Sequence, residues 1–375
     1  MYTYDYVIIG SGLFGAVFAH EMNKVGRKCI VIEKRNHIGG NIYTHKTEGI
    51  NIHKYGAHIF HTDDKAVWDY VSQFTSFNNF INSPLANYNG KLFNLPFNMN
   101  TFYQLWGTIT PAEAKYKIAQ ETKAYRLAQP KNLEEHALAS VGLEIYLKFI
   151  KAYTEKQWGM SPTRLPASIL KRIPIRFTYD NNYFKHRYQG IPVGGYTSII
   201  SKLLDGIETK LNTDFHASPD EFRSLGRKLI FSGKIDEYYN YRFGALDYRS
   251  LRFEEETLDI ENFQGNAVVN YTGDNHQFTR IYEHKHFEFG TQGKTVITRE
   301  YPIKYTRDVE PYYPINDVLN NDTYNRYKKL AQTDGKVIFG GRLGDYKYYD
   351  MHQVIGSALS KSKKEILATK HIYEK

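Results

Sequence analysis

A single cysteine, Cys29, stands among 375 residues. One thiol closes no internal disulfide, so the chain carries no framework of the secreted, disulfide-stapled kind. Cys29 falls inside an apolar, strand-type run and reads as a small core residue rather than a thiol catalyst. No stretch of about 18 consecutive apolar residues is present, so no membrane-spanning helix is expected. Met1-Tyr2-Thr3-Tyr4-Asp5 leads straight into the first strand and leaves no room for a signal peptide, which points to the cytoplasm. Blocks of like charge and nucleic-acid-binding motifs are also missing, and charges of both signs are interspersed, so no nucleic-acid partner is expected. Three histidines, His53, His58 and His61, lie close in sequence. Their spacing suits no helix face and no cysteine or carboxylate cluster accompanies them, so no metal is expected.

What is present is ordinary in bulk. Hydrophobic residues make up 41% and charged residues 24%, as in a soluble globular protein, and the length suits two or three domains. Two totals stand out, 32 Tyr with 22 Phe and a net charge of +9. Tyrosine joins an apolar ring to a polar tip, useful where sugars and nucleotides are bound, although a compositional habit of the organism explains the count equally well. The positive charge fits an anionic partner such as a nucleotide substrate or cofactor.

The most informative stretch is Tyr4-Asp5-Tyr6-Val7-Ile8-Ile9 running into Gly10-Ser11-Gly12-Leu13-Phe14-Gly15. An apolar strand ends on glycines spaced G-x-G-x-x-G, a helical pattern follows at once, and a second strand, Lys28 to Ile32, ends on Glu33. Strand, glycine turn, helix, strand and acid together form the dinucleotide-binding pattern. Gly10 permits the tight turn, Gly12 lets a pyrophosphate approach, and Gly15 lets helix and strand pack closely. The helix amino end offers free N–H groups to phosphate, and Glu33 can accept from an adenosine ribose, which favours FAD or NAD over NADP. Lys34 to Asn41 follows, with paired glycines Gly39 and Gly40. A basic residue after the ribose acid and then paired glycines resemble the second nucleotide-binding element of flavoproteins of the glutathione-reductase and amine-oxidase superfamily, which tilts the cofactor to FAD. In that superfamily the G-x-H stretch runs beside the flavin ring, so the resemblance makes His58 and His61 flavin neighbours and brings Asp214 and Phe215 near the adenine.

Further along, Asn89-Gly90 between alternating apolar runs predicts a hairpin. Met99 to Gly159 reads as mostly helical, with Thr110-Pro111-Ala112-Glu113 as a capped start. Met160 to Gln189, with three prolines, several basic residues and aromatics, has the composition of a lid over an anion. Tyr248 to Tyr305 reads as β throughout, and a last helix starts near Met351. The expected fold class is α/β, a discontinuous Rossmann-like FAD-binding domain (1–80, 191–245 and 317–375) with an inserted helical domain (98–165). An antiparallel β-sheet domain (81–97, 166–190 and 246–316) carries the mobile lid at about 160–189. Arg172, Arg176, Arg280 and Arg342 are candidate anion clamps among which the residues alone do not choose. Tyr153 and Trp158, read alone, are helix-core residues.

Taken together these segments resemble the bacterial UDP-galactopyranose mutases over nearly the whole chain. The resemblance rests on the glycine loop, Glu33 to Asn41, Tyr55-Gly56-Ala57-His58-Ile59-Phe60-His61-Thr62, Asn94 to Phe97 and Tyr153-Thr154-Glu155-Lys156-Gln157-Trp158-Gly159. It extends through Lys171 to Pro174, Glu310 to Pro314, Gly340 to Leu343 and Tyr348 to His352. It implies interconversion of UDP-galactopyranose and UDP-galactofuranose with FAD required in its reduced state, through a covalent flavin N5–sugar adduct. It implies Arg172 and Arg280 as the catalytic pair on the pyrophosphate, and Tyr313 and Tyr348 as phosphate donors. Tyr153 and Phe149 would line the uracil pocket, Trp158 would wall the sugar, and Asn82, Tyr183 and Asn270 would complete the substrate contacts. Gly10, Gly12, Phe14, Gly15, Glu33, Lys34, Gly40, Asn41, His58, His61, Asp214, Phe215, Arg342, Asp350 and Met351 would hold the cofactor. It also implies a homodimer that supplies galactofuranose for cell-surface polysaccharide. Two other readings stay open on the residues alone, an ordinary flavin oxidoreductase and a basic FAD-containing binding protein.

Overall fold

The computed structural model describes residues 2–126, 129–167 and 175–373. β1 (Tyr4–Ile9), α1 (Leu13–Lys24) and β2 (Cys29–Ile32) form the first unit. A Cβ on Gly15 would stand 2.0 Å from the carbonyl oxygen of Gly10, itself at φ +98°, so a side chain at either position is refused by backbone. A short hairpin, β3 (Thr44–Thr47) and β4 (Ile50–His53), leads to β5 (Phe60–Thr62) and α2 (Lys65–Val71). Asp64 caps α2 by accepting from the N–H groups of Ala66 and Val67, as a capping aspartate does. β6 (Leu85–Tyr88) and β7 (Lys91–Asn94) turn at Asn89 and Gly90, at φ 51° and 84°, the two positive values of a type I′ turn.

A helical region follows, with α3 (Met99–Trp106), α4 (Pro111–Thr122), α5 (Leu133–Ile145), a π-helical turn (Tyr146–Lys151) and α6 (Ala152–Trp158). Thr110 and Glu113 close a capping box around Pro111, and the helices share a core that includes Phe102, Leu133, Val141, Ile145 and Phe149. Then come β8 (Tyr188–Gly190), α7 (Tyr196–Leu203), β9 (Glu208–Lys210), α8 (Pro219–Leu225), β10 (Gly226–Phe231) and α9 (Ile235–Tyr238). The chain continues through β11 (Tyr248–Leu258), β12 (Val268–Tyr271), β13 (Arg280–Glu283), β14 (Thr295–Lys304) and β15 (Tyr313–Pro314). It closes with α10 (Val318–Asp334), β16 (Val337–Phe339), α11 (Gly341–Gly344) and α12 (Met351–Tyr373).

Two sheets organise these elements. One has five parallel strands in the order β16-β10-β1-β2-β9, drawn from three separated stretches of chain. Side chains alternate across its pleat, so one apolar cluster holds Tyr6, Ile8 and Val31 with α1 and α12, and another holds Val7, Ile30 and Ile32 with Phe231 and Tyr327. The other sheet has the order β15-β11-β14-β13-β12-β6-β7 and is antiparallel except where β6 meets β12. The fold is therefore α/β with a discontinuous Rossmann-like unit. Two details differ from expectation. The sequence from about Asp64, with Trp68 and Tyr70, predicts a helix to Phe77, but α2 ends at Val71 because Phe77 bridges to Pro192 and Asn78 bonds to Ile191. Tyr188 and Gln189, expected in the lid, pair as a strand with β5.

Candidate functional site

A cavity of about 420 Å³ opens at the carboxyl ends of β1, β2 and β10, where Ile9, Ile32 and Phe231 line it, the crevice in which open parallel sheets bind ligands. Gly10, Gly12, Phe14, Glu33, Lys34, Gly40 and Asn41 border it from the first unit. His58, Asp214, Phe215, Arg342 and Met351 close it from later segments. Gly15, His61 and Asp350 do not line it.

The lining fits a dinucleotide cofactor. Gly12 begins α1 with no side-chain capping bond, so the first N–H groups of the helix stay open to phosphate. A Cβ on Gly40 would lie 3.0 Å from the Gly12 Cα, so the two loops meet through bare backbone. Arg35, also on the lining, stacks 4.4 Å over the Tyr55 ring and has a buried Nη1 without a hydrogen-bond partner among the described residues. Glu33 is buried and accepts from Ser11 N at 2.9 Å, Ser11 Oγ at 2.7 Å and Arg35 N at 3.0 Å. A carboxylate has about four lone-pair positions, so one remains for a ribose hydroxyl. Burial, then the Arg342 charge, lowers the pKa of His58 to about 4, so its imidazole is neutral; its Nδ1 lies 2.7 Å from Gly56 O.

Beside this cavity the seven-stranded sheet and α6 bring a second group together. Arg280 Nε donates to the Tyr153 hydroxyl at 2.8 Å and to Asn270 Oδ1 at 3.0 Å, while its Nη1 lies 3.6 Å from buried Glu300 Oε2. Tyr282 donates its hydroxyl to the same carboxylate. Burial alone would lower the Arg280 pKa, but Tyr153, Glu300, Tyr282 and Tyr313 outweigh it and push it well above the usual value. The cation is fixed. Tyr313 and Tyr348 stack with centroids 4.9 Å apart, and the Arg342 guanidinium stands 5.4 Å from each ring. Arg342 donates to Tyr312 O at 3.2 Å and Tyr349 O at 2.7 Å, so one side chain borders both the cavity and the tyrosine pair. Burial raises the pKa of Tyr153 and Tyr313, the latter helped by Tyr348 and Glu300; both phenols stay protonated.

The remaining expected residues are distributed as follows. Arg172 lies outside the described residues. Arg176, a candidate clamp, is a structural residue here: it is buried and donates to the carbonyls of Asn182 and Tyr183, the second at 3.0 Å. Tyr183 in turn donates its backbone N–H to Asn82 O at 2.7 Å. Phe149 is buried among Phe93, Phe97 and Tyr88, and Trp158, half-buried, packs against the same core. His61 stacks on Phe184 at 3.7 Å, and its Nδ1 lies 2.6 Å from that of His186. Cys29 is buried, and burial raises its thiol pKa to about 12, which makes it unreactive. Glu300 and Arg35 were missed in the sequence. Arg35 stood next to Lys34 in the flavoprotein-like segment, so adjacency was a signal. Glu300 had none, since it meets Arg280 only through the β13–β14 register.

Comparison with known proteins decides the family. A family model described as UDP-galactopyranose mutase matches residues 148–348, and one described as NAD(P)-binding Rossmann-like domain matches residues 8–74. A probable UDP-galactopyranose mutase of Klebsiella pneumoniae is 39% identical, with 94% of this chain and 92% of that protein covered. The chain belongs to the UDP-galactopyranose mutase family. As a member of that family it is an isomerase on a flavoprotein-type fold. A dTDP-fucopyranose mutase of Escherichia coli, 38% identical over 94% of this chain and 96% of its own length, is a second family relative. The fold also matches a crystal structure of reduced UDP-galactopyranose mutase with a TM-score of 0.74 and 15% identity, covering 98% of this chain and 96% of the other.

Proposed function

We propose that this chain interconverts UDP-galactopyranose and UDP-galactofuranose with FAD, in its reduced state, as cofactor. The observation that carries the reading is the fixed cation of Arg280, held by Tyr153, Asn270 and Glu300 and joined to the cofactor cavity through the Tyr313–Tyr348 pair and Arg342. Gly10, Gly12 and the open amino end of α1 would take the FAD diphosphate, with Phe14 and Gly15 packed behind them. Glu33 would take the adenosine ribose, Lys34 its edge, and Asp214 and Phe215 the adenine. Gly40, Asn41, His58, Arg342 and Met351, which line the cavity, would surround the flavin, with His61 and Asp350 behind that lining. When reduced, that flavin would supply an electron-rich nitrogen as nucleophile for the anomeric carbon.

The rest of the task falls to side chains. As UDP departs, its diphosphate gains negative charge, and a cation already ordered by buried partners stabilises that charge without reorganising. Arg280 has that order, and Arg172 is proposed as its counterpart. Tyr313 and Tyr348, with protons on their phenols, would donate to the phosphates. Tyr153 and Phe149 would receive the uracil, Trp158 would wall the sugar, and Asn82, Tyr183 and Asn270 would complete the contacts. A homodimer in the cytoplasm, supplying galactofuranose for cell-surface polysaccharide, completes the proposal.

The test uses purified protein with UDP-galactofuranose and, in parallel, a dTDP-fucofuranose donor, each with and without dithionite, followed by chromatography of the nucleotide sugars. Conversion of the UDP sugar under reducing conditions alone supports the reading. No conversion by protein holding reduced FAD refutes it. Faster turnover of the dTDP sugar, the chemistry named for the Escherichia coli relative, would move the substrate and keep the reaction class.

A further inference from the structure

Two cations that touch neither the cavity nor Arg280 hold α6 against the seven-stranded sheet. Lys156 sends its Nζ to Tyr271 O at 2.7 Å and Phe278 O at 3.3 Å. These carbonyls flank the β12–β13 hairpin, the first next to Asn270 and the second two residues before Arg280. One residue further along α6, Arg249 donates from Nε and Nη2 to Gln157 O, at 3.1 and 2.7 Å. Arg249 stands opposite Tyr313 in the β11–β15 register, and its carbonyl accepts from Tyr312 N at 2.9 Å. Gly159 makes room for it: at φ +65° it ends the helix, and a Cβ there would meet the Arg249 guanidinium at 3.1 Å.

We propose that Lys156 and Arg249 are positioning residues that set the gap between the helix-borne Tyr153 and Trp158 and the sheet-borne Asn270, Arg280 and Tyr313. The inference rests on the proposed function of that site. α6 is only seven residues long and follows an irregular π turn, so its own hydrogen bonds fix its place poorly. Two half-buried carbonyls at the hairpin and one near the helix end need donors, and each cation supplies them at a point adjacent to a site residue. Burial lowers the pKa of Lys156 to about 8, with Asp274 opposing. Protonated or neutral, its amine has two N–H groups for the two carbonyls, so the anchor survives that titration.

The test compares flavin-loaded wild type with Lys156→Met, Lys156→Arg and Arg249→Lys. Wild-type mutase activity is measured first, and its absence would defeat the proposed function rather than this inference. Given activity, Lys156→Met is expected to raise KM for the nucleotide sugar about tenfold or more, the loss of one charge-assisted anchor. kcat should stay within about threefold, flavin content should be unchanged, and Trp158 emission should shift. Lys156→Arg should recover most of the KM. Wild-type KM in Lys156→Met, or a raised KM with unshifted Trp158 emission, would overturn the proposal. Should Lys156→Met not fold, Arg249→Lys gives the same reading, since it keeps the charge and loses the paired donation to Gln157.

Discussion

At Arg280 a positive charge, proposed above to meet the departing diphosphate, is held by partners against the pull of burial. Arg280→Ala should therefore lower kcat/KM roughly 10²–10³-fold, the range for removing one preorganised donor, while the ratio of flavin to protein absorbance stays constant. Arg172→Ala is expected to do the same. Glu300→Gln keeps the shape and removes the charge 3.6 Å from the guanidinium; a loss of roughly tenfold in kcat/KM is expected, again with flavin retained. Steady-state kinetics on flavin-normalised protein checks all three. Residues of this kind were only half legible in the sequence. Arg280 stood out as one of four arginines, and its rank came from family resemblance. Arg176 looked equally suitable, yet it is spent on the carbonyls of residues 182 and 183. Glu300 is twenty positions from Arg280 and meets it by strand register, which composition and spacing do not encode.

Elements with a local chemical signature were read well. The glycine turn, the Asn89-Gly90 hairpin and the Thr110–Glu113 capping box each need particular residues at fixed offsets, and each is present. Thr110→Ala should cost about 1 kcal/mol of stability, seen as a lower urea midpoint with unchanged slope. Gly15→Val puts branched carbon where the nearest atom is the Gly10 carbonyl oxygen at 2.0 Å. It should yield protein whose flavin absorbance is several-fold lower at equal concentration. Where elements end was less legible. α2 stops at Val71, and Tyr188 joins β5, because of contacts with chain more than a hundred residues away.

On the scale of the whole molecule, the strand order β16-β10-β1-β2-β9 depends on which distant segments bury one another, and no local pattern states it. Buried histidines make the assembled fold acid-sensitive. Burial, with His45 adding, lowers the pKa of His284 to about 3, and burial lowers that of His61 to about 4. The unfolded chain, with histidines near 6.5, binds more protons across the interval, so stability falls as pH drops from 6.5 toward 3. Thermal melts across that range should decline steadily, and His284→Gln should flatten the decline. For Lys156 the direction matches at higher pH: its lowered pKa makes wild type gain on Lys156→Met as pH rises from 8 toward 10.5.

The parallel sheet drawn from three separated stretches also sets a timetable during synthesis. The cavity takes one wall from Gly10, Gly12, Leu13 and Phe14 and another from Gly341, Arg342 and Met351, and α1 shares its core with Ile355 and Ala358 of α12. About 330 residues separate those walls, which at ribosomal speed is roughly 15–65 s of elongation. The amino-terminal strand and helix must wait that long, half-buried at best, before a flavin has a place to bind. Cofactor capture is then a late event in the life of the nascent chain, and a shortage of flavin would be felt first by newly finished molecules.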